Sequence, residues 1–317
     1  MGDAVSGASL DQKAAATTGA KAATSNARPL EIEEALNSRL VHPTARMLVT
    51  VLIPTGISPN AVSALSVVMM ALACACYALL PWPVGAFAGL GFHFLWHVFD
   101  GADGDLARRT GRSSPTGEIV DGVCDHLSHL ILYLTLGALL AGQVGPWGWA
   151  LALFSGASRA FQAVCYETAR RNYRRWVHGV NWIRQDLDQV EAESKAGKAS
   201  RIGVGLASIY LAASGWVRAD DSRIEAAMAQ ILSRGGAAAD QARAICKAEL
   251  QPLVKRASSL STNWETIGVF LTILAGSPLY FLGFQATILN LVMAVCVFAQ
   301  GRAYARILPR LQALSPS

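Results

Sequence analysis

The chain has 317 residues and a net charge of +5; 52% of its residues are hydrophobic and only 15% are charged. An average soluble domain is roughly 25% charged, so this composition argues against an ordinary soluble enzyme. Three stretches, 47–99, 126–158 and 266–301, contain no Asp, Glu, Lys or Arg. Because about 20 apolar residues cross a bilayer, the sequence predicts an all-α, polytopic membrane protein. The positive charge then reflects topology and lipid contact, and we expect no nucleic-acid partner.

The N-terminal region divides into two parts. Residues 1–29 are rich in Ala, Ser, Thr and Gly and contain no apolar core segment, so they indicate a disordered tail and not a signal peptide. In residues 30–48, apolar side chains recur near helical spacing between acidic ones: Leu30, Ile32, Leu36, Leu40 and Val41. This pattern predicts an amphipathic juxtamembrane helix on the membrane surface. A plain juxtamembrane helix without a special role fits the same residues.

Hydropathy then predicts six transmembrane helices, the first four within 49–169 and the last two within 263–317, before a C-terminal tail. The expected spans are Ser58–Leu80, Val84–Leu106, Thr116–Leu140, Trp147–Thr168, Asn263–Phe281 and Phe284–Tyr304. The connections "PWP", "GQVGPWG" and "SPLYFLG" contain no Lys or Arg, whereas the opposite side carries many arginines. The positive-inside rule therefore places both termini in the cytoplasm. We expect an integral membrane protein, of the inner membrane if the source is bacterial.

Residues 170–262 form a long insert with an average share of charge, predicted to be helical and mostly cytoplasmic. Its apolar stretch 202–217 is short for a span, so an interfacial or buried helix is favoured over a seventh span. Two amphipathic helices are expected after it, in "DDSRIEAAMAQILSRGG" and "AADQARAICKAELQPLVKRA". A packing or dimerisation role suits them better than catalysis. The six cysteines form no CxxC pair and are interpreted as small core residues.

An acidic stretch separates the second and third predicted spans. Asp100 and Asp103 share one helical face with Ala107, and Asp121 and Asp125 recur four residues apart on the next helix, after Gly117. The short loop "TGRSSPTG" makes the two helices antiparallel neighbours. Four carboxylates are therefore expected to point into one gap at the cytoplasmic membrane boundary.

Four anions in a gap of low dielectric repel one another strongly, so they must bind protons or cations. Carboxylate oxygens suit Mg²⁺, Mn²⁺ or Ca²⁺, and a pair of such ions can bind a pyrophosphate and support phosphoryl transfer. The small residues Gly104 and Ala107 leave room for a ligand near the backbone, and Arg108 and Arg109 are suitable cations for phosphate oxygens. A solvated polar loop with chance spacing is the alternative.

The fixed residues read DxxDGxxAR, then eight residues, then GxxxDxxxD. This order resembles the signature of the CDP-alcohol phosphotransferases. The resemblance implies that Asp100, Asp103 and Asp121 bind metal and that Asp125 binds metal and acts as the general base. It also implies a CDP site, made by five residues: Asp100, Gly104, Ala107, Arg108 and Gly117.

The family resemblance further implies a reaction and its partners. A donor, either CDP-diacylglycerol or a CDP-linked polar alcohol, would react with an acceptor alcohol on two divalent cations, Mg²⁺ or Mn²⁺, and CMP would leave. The implied role is phospholipid or related phosphodiester synthesis by a homodimer in contact with membrane lipid. "DGADGDLAR" with "DGVCDH" is most similar to members that handle inositol-type alcohols.

Two questions stay open on the sequence. Arg159 lies inside a predicted span, where an arginine is costly unless it faces a cavity or a partner. Binding of an acceptor or lipid phosphate by Arg159, with Arg109 as a second candidate, is favoured over a structural ion pair with Glu167 or a pocket carboxylate. The competing function is a divalent-cation transporter or channel, which would need ligands near the membrane midplane.

Overall fold

The computed structural model describes residues 29–180 and 221–314, and within these ranges the chain is helical without any β-strand. Residues 1–28 of the predicted tail and the apolar stretch 202–217 lie outside the described residues. The α-helices of the described ranges are α1 His42–Leu52, α2 Pro59–Leu79, α3 Val84–Thr110, α4 Pro115–Val144, α5 Trp147–His178, α6 Ser222–Arg234, α7 Gly236–Ala257, α8 Thr262–Leu274, α9 Leu279–Phe284 and α10 Asn290–Gln312.

Helix α2 is the central element of the first half of the chain. It packs along α3 on one side and α4 on the other, while α1 lies against α3 and α5 against α4. Gly89 allows the tight contact between α3 and α2, since a Cβ atom there would lie 2.1 Å from the Tyr77 ring. By contrast, α3 and α4 touch each other only sparsely, although a short turn joins them. A gap therefore remains between the C-terminal end of α3 and the N-terminal end of α4.

Three helical segments are long and apolar enough to cross a membrane: Pro59–Leu79, Gly117–Val144 and Leu279–Gln312. The other predicted spans are helical but more polar or shorter. Helix α3 contains two histidines and three aspartates, α5 contains an arginine and a run of basic residues, and α8 has 13 residues. The six-span arrangement stays a prediction.

The predicted position of the boundary between the fifth and sixth spans was wrong. Helix α8 ends at Leu274, and Phe281, which was expected in the fifth span, lies in α9. The physical cause is the sequence Gly276-Ser277-Pro278, in which Gly276 takes a φ of +82° that other residues rarely adopt. Pro278 then precedes the first turn of α9, and a π-helical turn, Gln285–Leu289, joins α9 to α10.

The N-terminal helix also differs from the expectation of one helix over 30–48. A 3₁₀ turn, Leu30–Ile32, comes first, and continuous helical structure begins at residue 35 and reaches Leu52 through a π-helical turn. Glu31 and Glu34 are half-buried and bind side chains of other helices. One face of α1 is buried through Ala45 and Val49, whereas Met47 is 72% exposed, so α1 has the expected amphipathic character.

The two amphipathic helices predicted after the apolar stretch are present as α6 and α7. Their apolar faces form one core with the C-terminal half of α5 and with α10, centred on Tyr173, Trp176, Ile231 and Ile307. This arrangement agrees with a packing role for this part of the insert, and dimerisation stays a prediction. All six cysteines are free thiols, as expected.

Candidate active site

The four aspartates of the acidic stretch lie on both sides of the gap between α3 and α4. The last three turns of α3 carry Asp100 and Asp103, and the first three turns of α4 carry Asp121 and Asp125. Asp121 is within electrostatic range of the other three carboxylates, and Asp100 is within range of Asp103 and Asp125. The structure therefore brings together the four side chains that the spacing had grouped.

Asp103 is the most buried of the four, with 4% of the residue exposed. Its Oδ2 atom accepts a hydrogen bond of 2.5 Å from the Ser63 hydroxyl of α2, and its Oδ1 atom lies 2.5 Å from the Gly104 amide nitrogen. Asp103 is also within hydrogen-bond contact of the Asp121 side chain. Since two ionised carboxylates repel at this separation, a proton or a cation must lie between them.

The donor set suits a hard divalent cation. All four ligand candidates are carboxylates on two facing helix ends, and the Asp103–Asp121 contact is a position at which a dication would relieve repulsion. Within residues 29–180 and 221–314, no three His, Cys, Asp or Glu side chains converge on one point as in a preformed metal site. The four carboxylates therefore suit a divalent cation in their chemistry and in their placement on facing helix ends, although their oxygens do not converge on one point.

The small residues of the motif border the gap. A Cβ atom added at Gly104 would meet only the Arg108 guanidinium within 4 Å, so this side of α3 is open. A Cβ at Gly117 would lie 3.2 Å from the Ser114 hydroxyl, which caps α4. Ala107 is half-buried one turn after Gly104. These positions leave space for a ligand beside α3.

Arg108 and Arg109 extend from the end of α3 and are largely exposed. Both pair with Asp105, at 3.7 Å from Arg108 Nη2 and 3.0 Å from Arg109 Nε. Asp105 is half-buried, because two guanidinium groups cover it. The pairing orients both arginines near the mouth of the gap.

A buried polar chain that the sequence did not reveal leads away from Asp125. His129 Nδ1 lies 3.3 Å from Asp125 Oδ1, and His129 Nε2 lies 3.1 Å from Oε2 of Glu265 on α8. Arg159 Nε, on α5, donates to the same Glu265 oxygen at 2.7 Å. Asp125, His129, Glu265 and Arg159 therefore form one connected chain across three helices, which we call the Asp125–Arg159 chain.

Glu265 was missed because it lies 136 residues from His129 in the sequence. A signal was available, since an arginine inside an apolar span requires a partner. The partner is Glu265 and not Glu167, which pairs with Arg170 at 2.8 Å. Arg159 is 6% exposed and forms an ion pair with Glu265. The structure thus shows the structural ion pair, which the sequence had favoured less than phosphate binding.

Nearby histidines have structural partners. His97 and His93 both contact the Thr266 hydroxyl, at 2.7 and 3.1 Å, and both rings are buried. Both are therefore hydrogen-bonded core residues. His126 is exposed, and its Nδ1 atom lies 2.6 Å from the Gly122 carbonyl oxygen. His129 is therefore the histidine that contacts the carboxylate set.

Arg174, in the last turns of α5, is a further cation near the mouth of the gap. Its pKa is lowered by burial and by the like charges of Arg170 and Arg108. Its Nε atom is buried and has no hydrogen-bond partner among the described residues. A buried guanidinium nitrogen without an acceptor, close to two other arginines, is a suitable place for an anion.

Comparisons with known proteins give concordant results. A sequence model of the family described as CDP-alcohol phosphatidyltransferase matches residues 56–232, which include the whole acidic motif. Choline/ethanolaminephosphotransferase 1 of Arabidopsis thaliana is 38% identical over 68 residues, which are 20% of this chain and 18% of that protein. Cholinephosphotransferase 1 of Xenopus laevis is 42% identical over 57 residues, 18% of this chain and 14% of that protein. The chain thus matches less than a fifth of the length of each of these relatives.

Proposed function

The chain belongs to the CDP-alcohol phosphatidyltransferase family, and we propose that it transfers a substituted phosphate group from a CDP-alcohol to an acceptor alcohol, releasing CMP. The observation that carries the proposal is the gathering of four carboxylates on the facing ends of α3 and α4. Relatives named as choline and ethanolamine phosphotransferases support a role in phospholipid synthesis. The reaction takes place at the cytoplasmic face of the membrane, as the arginine distribution favours.

The carboxylates of Asp100, Asp103, Asp121 and Asp125 would hold two divalent cations, Mg²⁺ or Mn²⁺. Bound there, the ions would neutralise the pyrophosphate of the donor and make its phosphorus more electrophilic. The repulsion between Asp103 and Asp121 supports this assignment, because a dication stabilises the ionised pair. The Ser63 hydroxyl orients Asp103 through its hydrogen bond.

Asp125 accepts the proton of the acceptor hydroxyl. Its side chain is 38% exposed, so an acceptor entering the gap can reach it. The hydroxyl oxygen forms a bond to the phosphorus on the alcohol side of the donor, the bond from that phosphorus to the CMP oxygen breaks, and CMP leaves with the electron pair. A positioned base of this kind contributes typically 10²–10⁴-fold to a rate.

The Asp125–Arg159 chain positions this base. His129 contacts Asp125 with one nitrogen and Glu265 with the other, and Arg159 fixes Glu265 by an ion pair. His129 Nδ1 also lies 2.8 Å from the backbone carbonyl oxygen of Asp125, which can only accept, so this nitrogen donates to Asp125 and holds the residue in place. We therefore assign Arg159 to holding Glu265, in place of binding a substrate phosphate.

The cytidine diphosphate lies along the open side of α3. Gly104 and Ala107 permit its close approach, Gly117 allows α4 to begin next to it, and Arg108 binds the phosphates. Arg174 joins Arg108 in this role, which the buried and unpartnered Nε atom supports. Arg109 remains a weaker candidate for a lipid or acceptor phosphate.

The donor is a CDP-linked polar alcohol of the choline or ethanolamine type, since the relatives described above are named choline and ethanolamine phosphotransferases. This differs from the inositol-type alcohol that the motif residues had favoured. The similarity covers about 20% of the chain, so CDP-diacylglycerol remains the comparison donor in any test. The protein acts as a homodimer, as the family resemblance implies.

An assay of CMP release by the purified protein tests the proposal. The protein is incubated with Mg²⁺ or Mn²⁺, a set of alcohols, and CDP-choline, CDP-ethanolamine or CDP-diacylglycerol as the donor. Release of CMP that requires both metal and acceptor is the expected result. The transporter alternative predicts metal-dependent cation flux into vesicles without CMP release. Flux without CMP under every donor would therefore overturn the transferase assignment.

A further inference from the structure

A groove of about 360 Å³ lies between α7 of the insert and α10 of the last predicted span. It is separate from the carboxylate gap, and the catalytic proposal assigns no role to its residues. Arg256 of α7 and Arg302 and Arg306 of α10 line it, and Val295 and Phe298 of α10 line its apolar part. We propose that this groove binds an anionic phospholipid.

The polarity of α10 changes from apolar to basic along this one face. Val295, Phe298, Arg302 and Arg306 follow at spacings of three and four residues, so they share a face of the helix. Val295 is 47% exposed and Phe298 68% exposed. At 1.5 Å per residue, Val295 and Arg306 are about 16 Å apart. That distance spans the boundary between acyl chains and headgroups, so the groove matches a lipid that stands in the membrane.

The charge of the groove calls for an anionic headgroup. Glu249 is the carboxylate in its lining, and Arg306 and Arg310 already bind it at 2.8 and 3.6 Å. Among residues 29–180 and 221–314, neither Arg256 nor Arg302 has a carboxylate within 4.0 Å, and Arg302 lies over the Phe298 ring instead. Two guanidinium groups facing one groove suit a phosphate ester that carries net negative charge.

A lipid suits this groove better than a small free anion. Phe298 and Val295 offer apolar surface next to the arginines, which inorganic phosphate would leave uncovered. A zwitterionic headgroup would bring its own ammonium toward the arginines, so an acidic lipid is preferred. The arginine run from Arg170 is less suited to this role, because Arg170 and Arg175 are paired with Glu167 and Glu225.

The test uses the full chain in nanodiscs of phosphatidylcholine, with phosphatidylglycerol added at increasing fractions and bound lipid counted by native mass spectrometry. We expect preferential retention of phosphatidylglycerol, and a loss of about 10- to 30-fold in its apparent affinity in Arg256→Gln/Arg302→Gln. The matched control is Arg223→Gln/Arg234→Gln, which removes the same charge from the exposed surface of α6. Phe298→Ser should also weaken retention while leaving the charge unchanged.

An equal loss of phosphatidylglycerol affinity in the control variant would overturn the proposal, because the loss would then result from the lower net charge of the protein. So would unchanged retention in Arg256→Gln/Arg302→Gln, or displacement of the lipid by millimolar inorganic phosphate. Thermal unfolding in phosphatidylcholine alone shows whether each variant is folded. If the groove variant is unfolded, the single variants Arg256→Gln and Arg302→Gln are compared in its place, and each should lower the affinity.

Discussion

His129 of α4 and Glu265 of α8 are 3.1 Å apart between Nε2 and Oε2, and this contact joins two helices that lie far apart in the sequence. Glu265 also accepts from Arg159 at 2.7 Å and is 3% exposed. One carboxylate thus contacts a histidine and an arginine on different helices. A substitution of Glu265 or Arg159 is therefore expected to alter the position of His129 and, through His129, the position of the Asp125 side chain.

Replacing Arg159 should destabilise the protein strongly. Arg159→Met leaves the buried Glu265 carboxylate without its guanidinium, and breaking a buried ion pair in this way costs about 3–5 kcal/mol. Thermal unfolding in detergent measures the loss. The double variant Arg159→Met/Glu265→Gln should regain part of it, because no buried charge is then left alone. The more solvent-accessible pair of Arg175 and Glu225, whose side chains are 41% and 18% exposed, is the control: Arg175→Met should cost no more than about 1 kcal/mol.

Each of the four motif aspartates should be required for turnover. Asp121→Ala is the decisive variant, because its carboxylate is within range of the other three. We expect CMP release to fall by about 10³-fold or more, as for loss of a ligand to catalytic metals, with thermal unfolding near that of the wild type. Asp240→Ala, an exposed carboxylate of α7, should retain full activity. An active Asp121→Ala enzyme would exclude the four-carboxylate site.

Asp125→Asn should separate the two roles of this residue. The amide keeps the shape and one oxygen ligand but cannot accept the proton, so donor binding with Mg²⁺ should persist while single-turnover transfer falls by about 10²–10⁴-fold. Loss of donor binding as complete as in Asp100→Ala would assign Asp125 to metal retention alone. Transfer near the wild-type rate would direct attention to His129, which lies 3.3 Å from the Asp125 side chain.

The orientation in the membrane can be tested by cysteine labelling in an active variant without native cysteines. Ser113→Cys lies in the turn between α3 and α4, and Gly142→Cys lies near the end of α4 with open space around it. The distribution of arginines predicts that position 113 reacts from the cytoplasmic side and position 142 from the opposite side. The reverse pattern would place the carboxylate gap on the outer face.

The N-terminal segment should contribute a pH-dependent stability through Glu31. Hydrogen bonds from Lys247 and Tyr173 lower its pKa from 4.5 to about 2. Because the folded-state pKa is the lower one, this stabilisation is present above about pH 4.5 and is lost as the pH falls toward 2. Glu31→Gln should therefore cost about 1 kcal/mol at pH 7.

The thermal unfolding difference between Glu31→Gln and the wild type should then shrink between pH 4.5 and pH 2. Lys247→Met removes the ammonium donor that lies 2.7 Å from Glu31 Oε2, and it should reduce the same difference. If the difference in thermal stability between the wild type and Glu31→Gln is the same at pH 2 as at pH 7, the carboxylate charge contributes nothing to stability.

The sequence alone determined the features that depend on local periodicity. Apolar stretches gave the helices from α2 to α5 within a few residues, except that α5 continues about ten residues beyond its expected end. Spacings of three and four residues grouped Asp100 with Asp103 and Asp121 with Asp125, because residues at these intervals share a helical face. The short loop between the two helices then brought both pairs to one gap.

Only the tertiary structure decided which distant side chains meet. Nothing local in the sequence pairs Glu265 with His129 and Arg159, or Glu31 with Lys247, because helix periodicity carries no information about which helices pack together. The end of α8 just before Gly276 was likewise decided by the structure, because the expected fifth span continued into the "SPLYFLG" connection. The partners of Asp125 and the groove between α7 and α10 therefore result from the long-range packing of α5, α8 and the insert helices. The grouping of the four carboxylates follows from local spacing.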